Sequence, residues 1–262
     1  MLVFSAICPH PPIIIPTIGK ENLEQVENTV LAMKELEKEL YASQPDVILI
    51  ISPHGDIIPE AFSINLNSEY VADFEDFGDW QTRLEFFNSP ELIAQIRSIT
   101  ENKLPLILIS NQKLDHGTAV PLYYLTKHLK NIPIVPINYS FFDYEKHWQF
   151  GELLNKVITK TDLRIAVIAS GDLSHCLIKG APAPYSPKGK EFDKELIALI
   201  KEQNYKAALK LDKDLIEGAA ECGFRSFLIL MGIISEYKHE TEILSYEAPF
   251  GVGYLVANFK LK

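Results

Sequence analysis

Cysteine is scarce in this chain, and its few cysteines form no recognisable pattern. Cys8, Cys176 and Cys222 are an odd set without a C-x-x-C spacing. Neither a disulfide framework nor an oxidising environment is therefore indicated. We expect a cytoplasmic protein.

Long apolar runs and an excess of positive charge are also missing. The apolar run 227–234 is far shorter than a membrane span needs. The apolar start, residues 1–8, lacks a basic n-region and is more typical of a first strand than of a signal peptide. With 25 Lys and Arg against 35 Asp and Glu, the net charge is -10, which would repel a polyanion. We expect neither a membrane nor a nucleic-acid partner.

Several common catalytic motifs are absent from the sequence. It contains no G-x-S-x-G nucleophile elbow, no P-loop, no G-x-G-x-x-G fingerprint and no zincin helix. Gly251-Val252-Gly253 lacks a third glycine and a following helix, so we interpret it as a turn. These absences argue against serine hydrolases, P-loop nucleotide hydrolases and dinucleotide-dependent dehydrogenases.

Strand-like and helix-like segments alternate along the 262 residues, of which 47% are hydrophobic. Short β-branched runs predict strands at 2–7, 46–51, 106–109, 132–137 and 164–169, and amphipathic stretches predict helices at 21–41, 90–100, 120–129, 145–158, 189–203 and 224–237. This alternation predicts an α/β sandwich around a largely parallel sheet. Further strand-like runs at 61–66, 242–246 and 253–259 indicate some antiparallel pairing, hence a mixed sheet. Without a linker or repeat, we predict a single domain over 1–262.

One long segment is predicted to be irregular. Residues 67–87 are acidic and rich in aromatic side chains. We expect this segment to form a lid or an oligomer contact.

Four histidines lie where predicted strands pass into loops. They occur in the segments Cys8-Pro9-His10-Pro11-Pro12, Ser52-Pro53-His54-Gly55-Asp56, Asp115-His116-Gly117-Thr118 and Gly171-Asp172-Leu173-Ser174-His175. Loops at the ends of buried strands commonly carry the chemistry of α/β proteins. We therefore predict that the four histidines form one site.

His10 and His54 have matching contexts, each behind a proline that ends an apolar run. Neutral imidazole is a ligand for Fe, Zn and Cu, so we predict that both bind a metal, with Asp56 as an orienting acceptor. The third donor is either Glu221 or Cys222, which are adjacent before an apolar helix. A carboxylate would complete a two-His, one-carboxylate site for Fe(II), whereas a thiolate would favour Zn or Cu(I). Taken alone, Glu221 is better explained as a carboxylate that stabilises the helix start, and it becomes a candidate ligand because two histidines are already proposed.

His116 and His175 are the candidates for acid–base work, because the usual pKa of histidine is near neutrality. The alternative for His116 is a turn residue before a helix capped by Thr118, and for His175 a loop residue anchored by Asp172 or Ser174. Three other histidines lie on predicted helices or among charges and are expected outside the site: His128, His147 and His239.

These motifs, in this order, are similar to those of the class III extradiol dioxygenases. The chain resembles their catalytic B subunit, LigB, and the related Memo-like proteins, in Pro9-His10-Pro11-Pro12, Ser52-Pro53-His54-Gly55, Leu114–Leu122, Ser170–His175 and Glu221-Cys222-Gly223. The resemblance spans nearly the whole chain. It implies Fe(II) bound by His10, His54 and Glu221, with His175 as the base and His116 as the other active-site histidine.

The resemblance further implies an oxidoreductase that inserts O2 into a catechol- or aminophenol-type ring beside the diol. It is compatible with a homo-oligomer or a small accessory subunit. Memo-like relatives carry a cysteine-glycine pair at the third ligand, which leaves open Cys222 as the donor and a non-catalytic Cu- or Zn-binding protein. A zinc hydrolase built on the same pocket is a third alternative.

Overall fold

A computed structural model describes all residues, 1–262, and contains one large mixed sheet and one small hairpin. Eight strands form the large sheet in the order β6-β3-β7-β2-β8-β1-β10-β9, and β4 and β5 form the hairpin. The strands are β1 Leu2–Cys8, β2 Val47–Ser52, β3 Phe62–Asn65, β4 Glu69–Phe74, β5 Asp79–Phe87, β6 Leu106–Ile109, β7 Ile134–Asn138, β8 Ile165–Ser170, β9 His239–Glu247 and β10 Tyr254–Leu261.

Nine α-helices surround the sheet. They are α1 Pro16–Gly19, α2 Glu27–Ser43, α3 Pro90–Thr100, α4 His116–Leu125, α5 Tyr144–Ile158, α6 Pro187–Lys201, α7 Tyr205–Ala208, α8 Lys213–Ala219 and α9 Phe224–Ile234. The predicted helix over 21–41 begins later as an α-helix, because Lys20–Val26 is a 3-10 segment. None of these helices combines the length and the hydropathy that crossing a membrane requires.

The centre of the sheet is parallel, antiparallel pairings flank it on both sides, and the edge strand β6 pairs in parallel with β3. Strand β8 pairs in parallel with both β1 and β2, and β2 pairs in parallel with β7. Strand β10 pairs antiparallel with β1 and β9, and β3 pairs antiparallel with β7. The predicted α/β sandwich with a mixed, largely parallel sheet is confirmed.

Alternate residues of each central strand enter the hydrophobic cores on opposite faces of the sheet. In β2, Leu49 and Ile51 belong to the core under α3, α5, α6 and α9, whereas Ile48 and Ile50 belong to the core under α2 and α4. All four side chains are buried. A strand covered on both faces reads as a continuous apolar run, which is why its position could be predicted.

The expectation of an irregular segment over 67–87 is wrong. Strands β4 and β5 form an antiparallel hairpin in which Glu69 pairs with Phe87 at the open end. Gly78, with a φ of 83°, lies in the turn that joins the strands. Acidic residues are poor strand formers, and they obscured the alternation that buries Tyr70 and Phe74 on one side of the hairpin. Strand β4 also hydrogen-bonds the segment before α4, through Leu114 N and Val71 O at 2.8 Å.

Helices α5 and α9 pack closely because glycines lie where they meet. A Cβ on Gly151 of α5 would lie 2.2 Å from Ile229 O and 2.9 Å from Gly232 Cα, both backbone atoms of α9. Any side chain there would push α9 outward, and α9 follows the loop that carries Cys222.

Gly151→Ala is therefore expected to destabilise the fold by about 2 kcal/mol, the usual cost of overpacking a close contact. The measurement is the free energy of unfolding from urea titration. The matched control is Gly218→Ala in α8, where the added Cβ meets only the flexible side chain of Lys188. Equal losses in the two variants would show that the α5–α9 contact is not tight.

Candidate metal centre

The three adjacent parallel strands β1, β8 and β2 end at the same level. Cys8 of β1 pairs with Ser170 of β8, and Ile51 of β2 pairs with Ala169 of β8. His10 and His54 each follow two residues after the end of their strand. The register therefore places both imidazoles over the carboxyl end of β8.

His10 and His54 point their Nε2 atoms at each other. The two atoms lie 3.0 Å apart, and the ring planes are nearly perpendicular, at 83°. Cys222 Sγ lies 3.6 Å from His10 Nε2. The three donor atoms all lie within 4.8 Å of one another. Two ring nitrogens and a sulfur facing a common point are an arrangement that a transition metal can bind.

A hydrogen-bond relay fixes the tautomer of His10. Ser170 Oγ donates its only proton to Gly117 O, at 2.5 Å. The Ser170 hydroxyl therefore has no proton left for His10, so His10 Nδ1–H must donate to Ser170 Oγ, at 2.9 Å. Because Nδ1 carries the proton, His10 Nε2 keeps its lone pair for a metal. Ser170 belongs to one of the motifs, but its role could not be predicted because it depends on a contact with a residue 160 positions away.

The structure places the two candidates for the third donor on different sides of the chain. The carboxylate of Glu221 turns toward α9 and accepts a hydrogen bond from Phe224 N at 2.5 Å. It thus stabilises the helix start, and it is not in the group formed with His10 and His54. Cys222 Sγ takes that place. This geometry differs from the ligand set that the resemblance implies, in which Glu221 is the third donor.

A contact between backbones brings Cys222 to the end of β8. Gly171 and Gly223 approach so closely that a Cβ on Gly171 would lie 2.2 Å from Gly223 Cα. Asp172 then joins the two segments, because its carbonyl accepts from Gly223 N at 3.0 Å and its N–H donates to Cys222 Sγ at 3.3 Å. Its carboxylate accepts from His10 N at 3.0 Å. Asp172 therefore ties both donor segments together.

His116 is the first residue of α4, and its ring stacks on His54. The ring centroids lie 4.5 Å apart, with an interplanar angle of 20°. Asp115, rather than Thr118, caps α4, and its carboxylate accepts from Thr118 N at 3.0 Å and from Ser52 Oγ. Ser52 Oγ in turn accepts from His54 N at 3.2 Å. The end of β2 and the start of α4 are thereby fixed to each other.

His175 lies on the loop after β8, held by backbone contacts. Its N–H donates to Ala219 O at 3.1 Å, and its Nδ1 lies 2.9 Å from Leu173 O. A carbonyl only accepts, so Nδ1 carries the proton and Nε2 has the lone pair. Of the two predicted anchors, neither Asp172 nor Ser174 contacts the ring. The neighbouring Ser174 N is held by the buried carboxylate of Asp193 at 2.9 Å.

Desolvation favours the neutral form of the four imidazoles near pH 7, although only His10 is fully buried. Desolvation lowers the pKa of each ring, for His54 to about 4, and the neighbouring histidines lower the pKa of His10 and His54 further. Asp115 works in the opposite direction on His54 and His116. Neutral rings are the form that binds metal ions.

The acidic groups and the thiol also favour their protonated forms. Burial raises the pKa of Glu221 and of Asp172 to about 7 in each case. Burial, with Asp172 and Glu221 nearby, raises the pKa of the Cys222 thiol well above its usual range. A metal bound by Cys222 would therefore have to displace a proton.

Asp56 and three of the histidines have hydrogen-bond partners other than His10 and His54. The carboxylate of Asp56, which was predicted to orient a histidine, accepts from Asn111 Nδ2 at 3.3 Å. The three histidines expected elsewhere have other partners: His128 pairs with Glu37, His147 with the carbonyls of Ser140 and Asp143, and His239 with Tyr205.

An open cavity of about 270 Å³ adjoins the histidines, with His54 and His116 in its wall. The hairpin contributes Phe77, whose ring centroid lies 5.5 Å from that of His116. The end of β4 and the turn of the hairpin, with Asp73, Asp76 and Phe77, thus form the part of the segment 67–87 that faces the cavity.

Comparison with known proteins gives one family across the chain. The family model described as "Catalytic LigB subunit of aromatic ring-opening dioxygenase" matches residues 5–257. Protein CA_C1420 of Clostridium acetobutylicum is 34% identical over 258 residues, which are 95% of this chain and 55% of that protein. The chain thus spans about half the length of that relative.

Two further proteins are similar over nearly their whole length. The 2-aminophenol 1,6-dioxygenase alpha subunit of Pseudomonas sp is 24% identical over 257 residues, which cover 92% of this chain and 94% of that protein. The crystal structure of the protein JW3007 from Escherichia coli K12 superposes with a TM-score of 0.68 at 16% identity, covering 98% of this chain and 99% of that one. At that identity the superposition supports the fold alone.

Ser170→Ala is expected to weaken metal binding about tenfold to a hundredfold, since it removes the acceptor that orients His10. The measurement is the dissociation constant for Zn²⁺ by competition with a chelator. Ser5→Ala is the matched control, because Ser5 is also a buried strand serine but contacts only Phe259 O, at 3.5 Å. Unchanged affinity in Ser170→Ala would rule out the relay as the source of the His10 orientation.

Proposed function

Because the chain belongs to the family of catalytic LigB subunits of aromatic ring-opening dioxygenases, we propose that it is a metal-dependent extradiol dioxygenase. The proposed reaction inserts O2 into a catechol- or aminophenol-type ring beside the two adjacent heteroatoms. One observation carries the proposal: the Nε2 atoms of His10 and His54 face each other at 3.0 Å, with His116 and His175 beside them. The sequence identity to the named dioxygenase subunit is 24%, so its name supports the class of reaction proposed for this chain and not a particular substrate.

The donor set is compatible with the ferrous ion that this family implies. Two neutral imidazoles are ligands common to Fe(II), Zn²⁺ and copper, and a thiolate is a soft donor that also binds iron. The site is open on one side, since His54 is exposed. Bound there, a ferrous ion would supply the redox chemistry between O2 and an electron-rich ring that no side chain can supply.

For the third donor, we propose Cys222 in place of Glu221. The sulfur already lies among the donors, whereas Glu221 would have to give up its hydrogen bond with Phe224 N and turn around the backbone. A buried carboxylate at a helix N-terminus is stabilised by the dipole, so that rotation has a cost.

His175 is the proposed base that takes a proton from a ring hydroxyl. Its lowered pKa leaves the ring neutral at pH 7, and the lone pair lies on Nε2. Once protonated, the ring is stabilised by the carbonyls of Leu173 and Ala220, both of which favour the charged form. The groups needed to accept and hold a proton are therefore present.

His116 is the proposed hydrogen-bond donor to the developing negative charge on oxygen. Its neutral ring has one N–H, and Asp115 beside it favours the protonated form. Stacking on His54 holds the ring next to a metal ligand. A fixed donor at this point stabilises charge without reorganisation.

The proposed substrate is a small aromatic diol or aminophenol together with O2. A cavity of about 270 Å³ is just below the usual range for drug-sized ligands, which fits a single ring. Partner proteins also remain proposals: a homo-oligomer, a small accessory subunit, or the further half of a longer chain such as that of the Clostridium relative. We propose that residues 1–262 form one LigB-like domain in the cytoplasm.

A specific observation also favours a second candidate function. Cys222 Sγ in the donor set is typical of Zn or Cu(I) sites, so the chain would then be a non-catalytic metal-binding protein of the Memo-like kind. Metal content separates the two functions. Iron with O2-dependent ring opening supports the dioxygenase, and tight zinc or copper without turnover supports the binder.

The roles of the histidines predict opposite effects in two variants. His54→Ala is expected to lose the metal, whereas His175→Ala should keep it and lose at least about a hundredfold in turnover, as for removal of a general base. The measurement is metal content together with O2 uptake on catechol or 2-aminophenol, after loading with Fe(II) without air. His128→Ala, remote from the site, is the control for both.

The pH dependence provides a further check on His175. Its lowered pKa means that the base is lost only as the pH falls below its usual value of about 6.5. Turnover of the wild type should therefore hold from neutrality down to that range and then decline. A full rate in His175→Ala would overturn its role as base.

The third donor can be identified from the pH dependence of Zn²⁺ affinity. The thiol of Cys222 is still protonated above pH 7, so metal binding should release its proton and affinity should rise about tenfold per pH unit between about pH 7 and 8.5. Glu221, with a pKa of about 7, would give an almost flat response in that range. Cys222→Ser should abolish the slope and Glu221→Gln should keep it. If Glu221→Gln changed the pH response and Cys222→Ser did not, Glu221 would be the third donor.

A further inference from the structure

We propose that the cavity beside His54 and His116 selects ligands by charge, with Asp56 as the deciding residue. It would accept aromatic diols or aminophenols that are uncharged or carry an amine, and reject rings that carry a carboxylate. This inference rests on the proposed function and narrows its substrate class.

The charged residues in the cavity wall are mostly acidic. Four carboxylates line the cavity and one ammonium group does: Asp56, Asp73, Asp76 and Asp115 against Lys113. Counting these groups gives four negative charges and one positive charge, so the cavity repels anions.

The single cation is already engaged. Lys113 Nζ lies 3.1 Å from Asp73 Oδ1 and 3.0 Å from Asp76 Oδ2, both on the hairpin. A ligand carboxylate would have to compete with two acidic partners for that ammonium group. The other nearby cation, Arg225, is not in the cavity wall and lies over the rings of Tyr139 and Tyr144.

Asp56 is the one carboxylate in the cavity wall that neither pairs with Lys113 nor caps a helix. Asp115 caps α4 and accepts from Ser52, and two others share Lys113. Asp56 accepts one hydrogen bond, from the neutral amide of Asn111 at 3.3 Å, and its side chain is exposed. It lines the same cavity as His54 and His116, so its charge faces the space in which a ring would bind.

The shape of the cavity places a ring within reach of that charge. Phe77 packs edge-on against His116, and His116 stacks on His54, so aromatic surfaces form one side. Asp56 and Asn111 are on the wall as well. A substituent on the ring therefore meets an aspartate, which would pair with an ammonium group and oppose a carboxylate.

The test compares three probes that differ in charge: catechol, 4-(2-aminoethyl)catechol and 3-(3,4-dihydroxyphenyl)propionate. Their binding to the Fe(II)-loaded protein is measured by calorimetry without O2, so that no turnover occurs. We expect the amine to bind about tenfold more tightly than the carboxylate at low salt, with the difference shrinking at high salt. Catechol should lie between them.

Asp56→Asn should reduce the difference between amine and carboxylate about threefold or more. Glu60→Gln is the matched control, because Glu60 is an exposed acid on the same loop that does not line the cavity, and it should leave the difference unchanged. Equal binding of the three probes, or an unchanged difference in Asp56→Asn, would overturn the inference while leaving the proposed function in place. Failure of all three to bind would overturn both.

Discussion

The common end level of three parallel strands is the constraint on which the rest of the site depends. Strands β1 and β2 flank β8, and their register makes Cys8, Ser52 and Ser170 terminate together. Each outer strand then continues through a proline to a histidine. Because the strands are buried on both faces, a slip in register would expose apolar residues or bury polar ones, so the hydrophobic core itself holds the two imidazoles opposite each other. The geometry of the donors is a consequence of packing well below them.

Small polar residues convert that coarse placement into defined donor atoms. Ser170 orients His10 through its hydrogen bond to Gly117 O, and Ser52 joins His54 to the cap of α4. Asp172 binds the backbone of His10 and of Gly223. Apart from the local contact between Ser52 and His54, these contacts join segments distant in sequence. Hydrogen bonds therefore set the orientation of the rings, and desolvation favours their neutral form.

Sequence patterns were sufficient to predict most strands and helices and to group the histidines. They were insufficient to decide whether Glu221 or its neighbour Cys222 faces the site. Strand β2 is a continuous apolar run, and the proline after it marks its end, so the position of His54 could be predicted. Glu221 and Cys222 are adjacent, and which of them faces the site depends on how residues 219–223 cross Gly171. That contact involves two glycines, which carry no side chain to reveal a partner. The hairpin was missed for a different reason, since its acidic residues depress strand propensity while its burial comes only from packing on the main body.

The acidic surroundings of the site act in opposite senses on a metal and on its ligand. A divalent ion held by the proposed set of two neutral imidazoles and one thiolate would have a net positive charge, which Asp56, Asp73, Asp76 and Asp115 in the adjoining cavity would stabilise. The same carboxylates would raise the free energy of any anion that enters beside it. On the proposed function, a diol that loses one proton on binding would bring its negative charge to the metal, whereas a remote carboxylate on the ring would reach only the aspartates. Negative charge on the ligand would therefore be favourable on the atoms that bind the metal and unfavourable on ring substituents that face the cavity wall. For this reason the residues lining the cavity would influence substrate choice as much as the proposed metal ligands do.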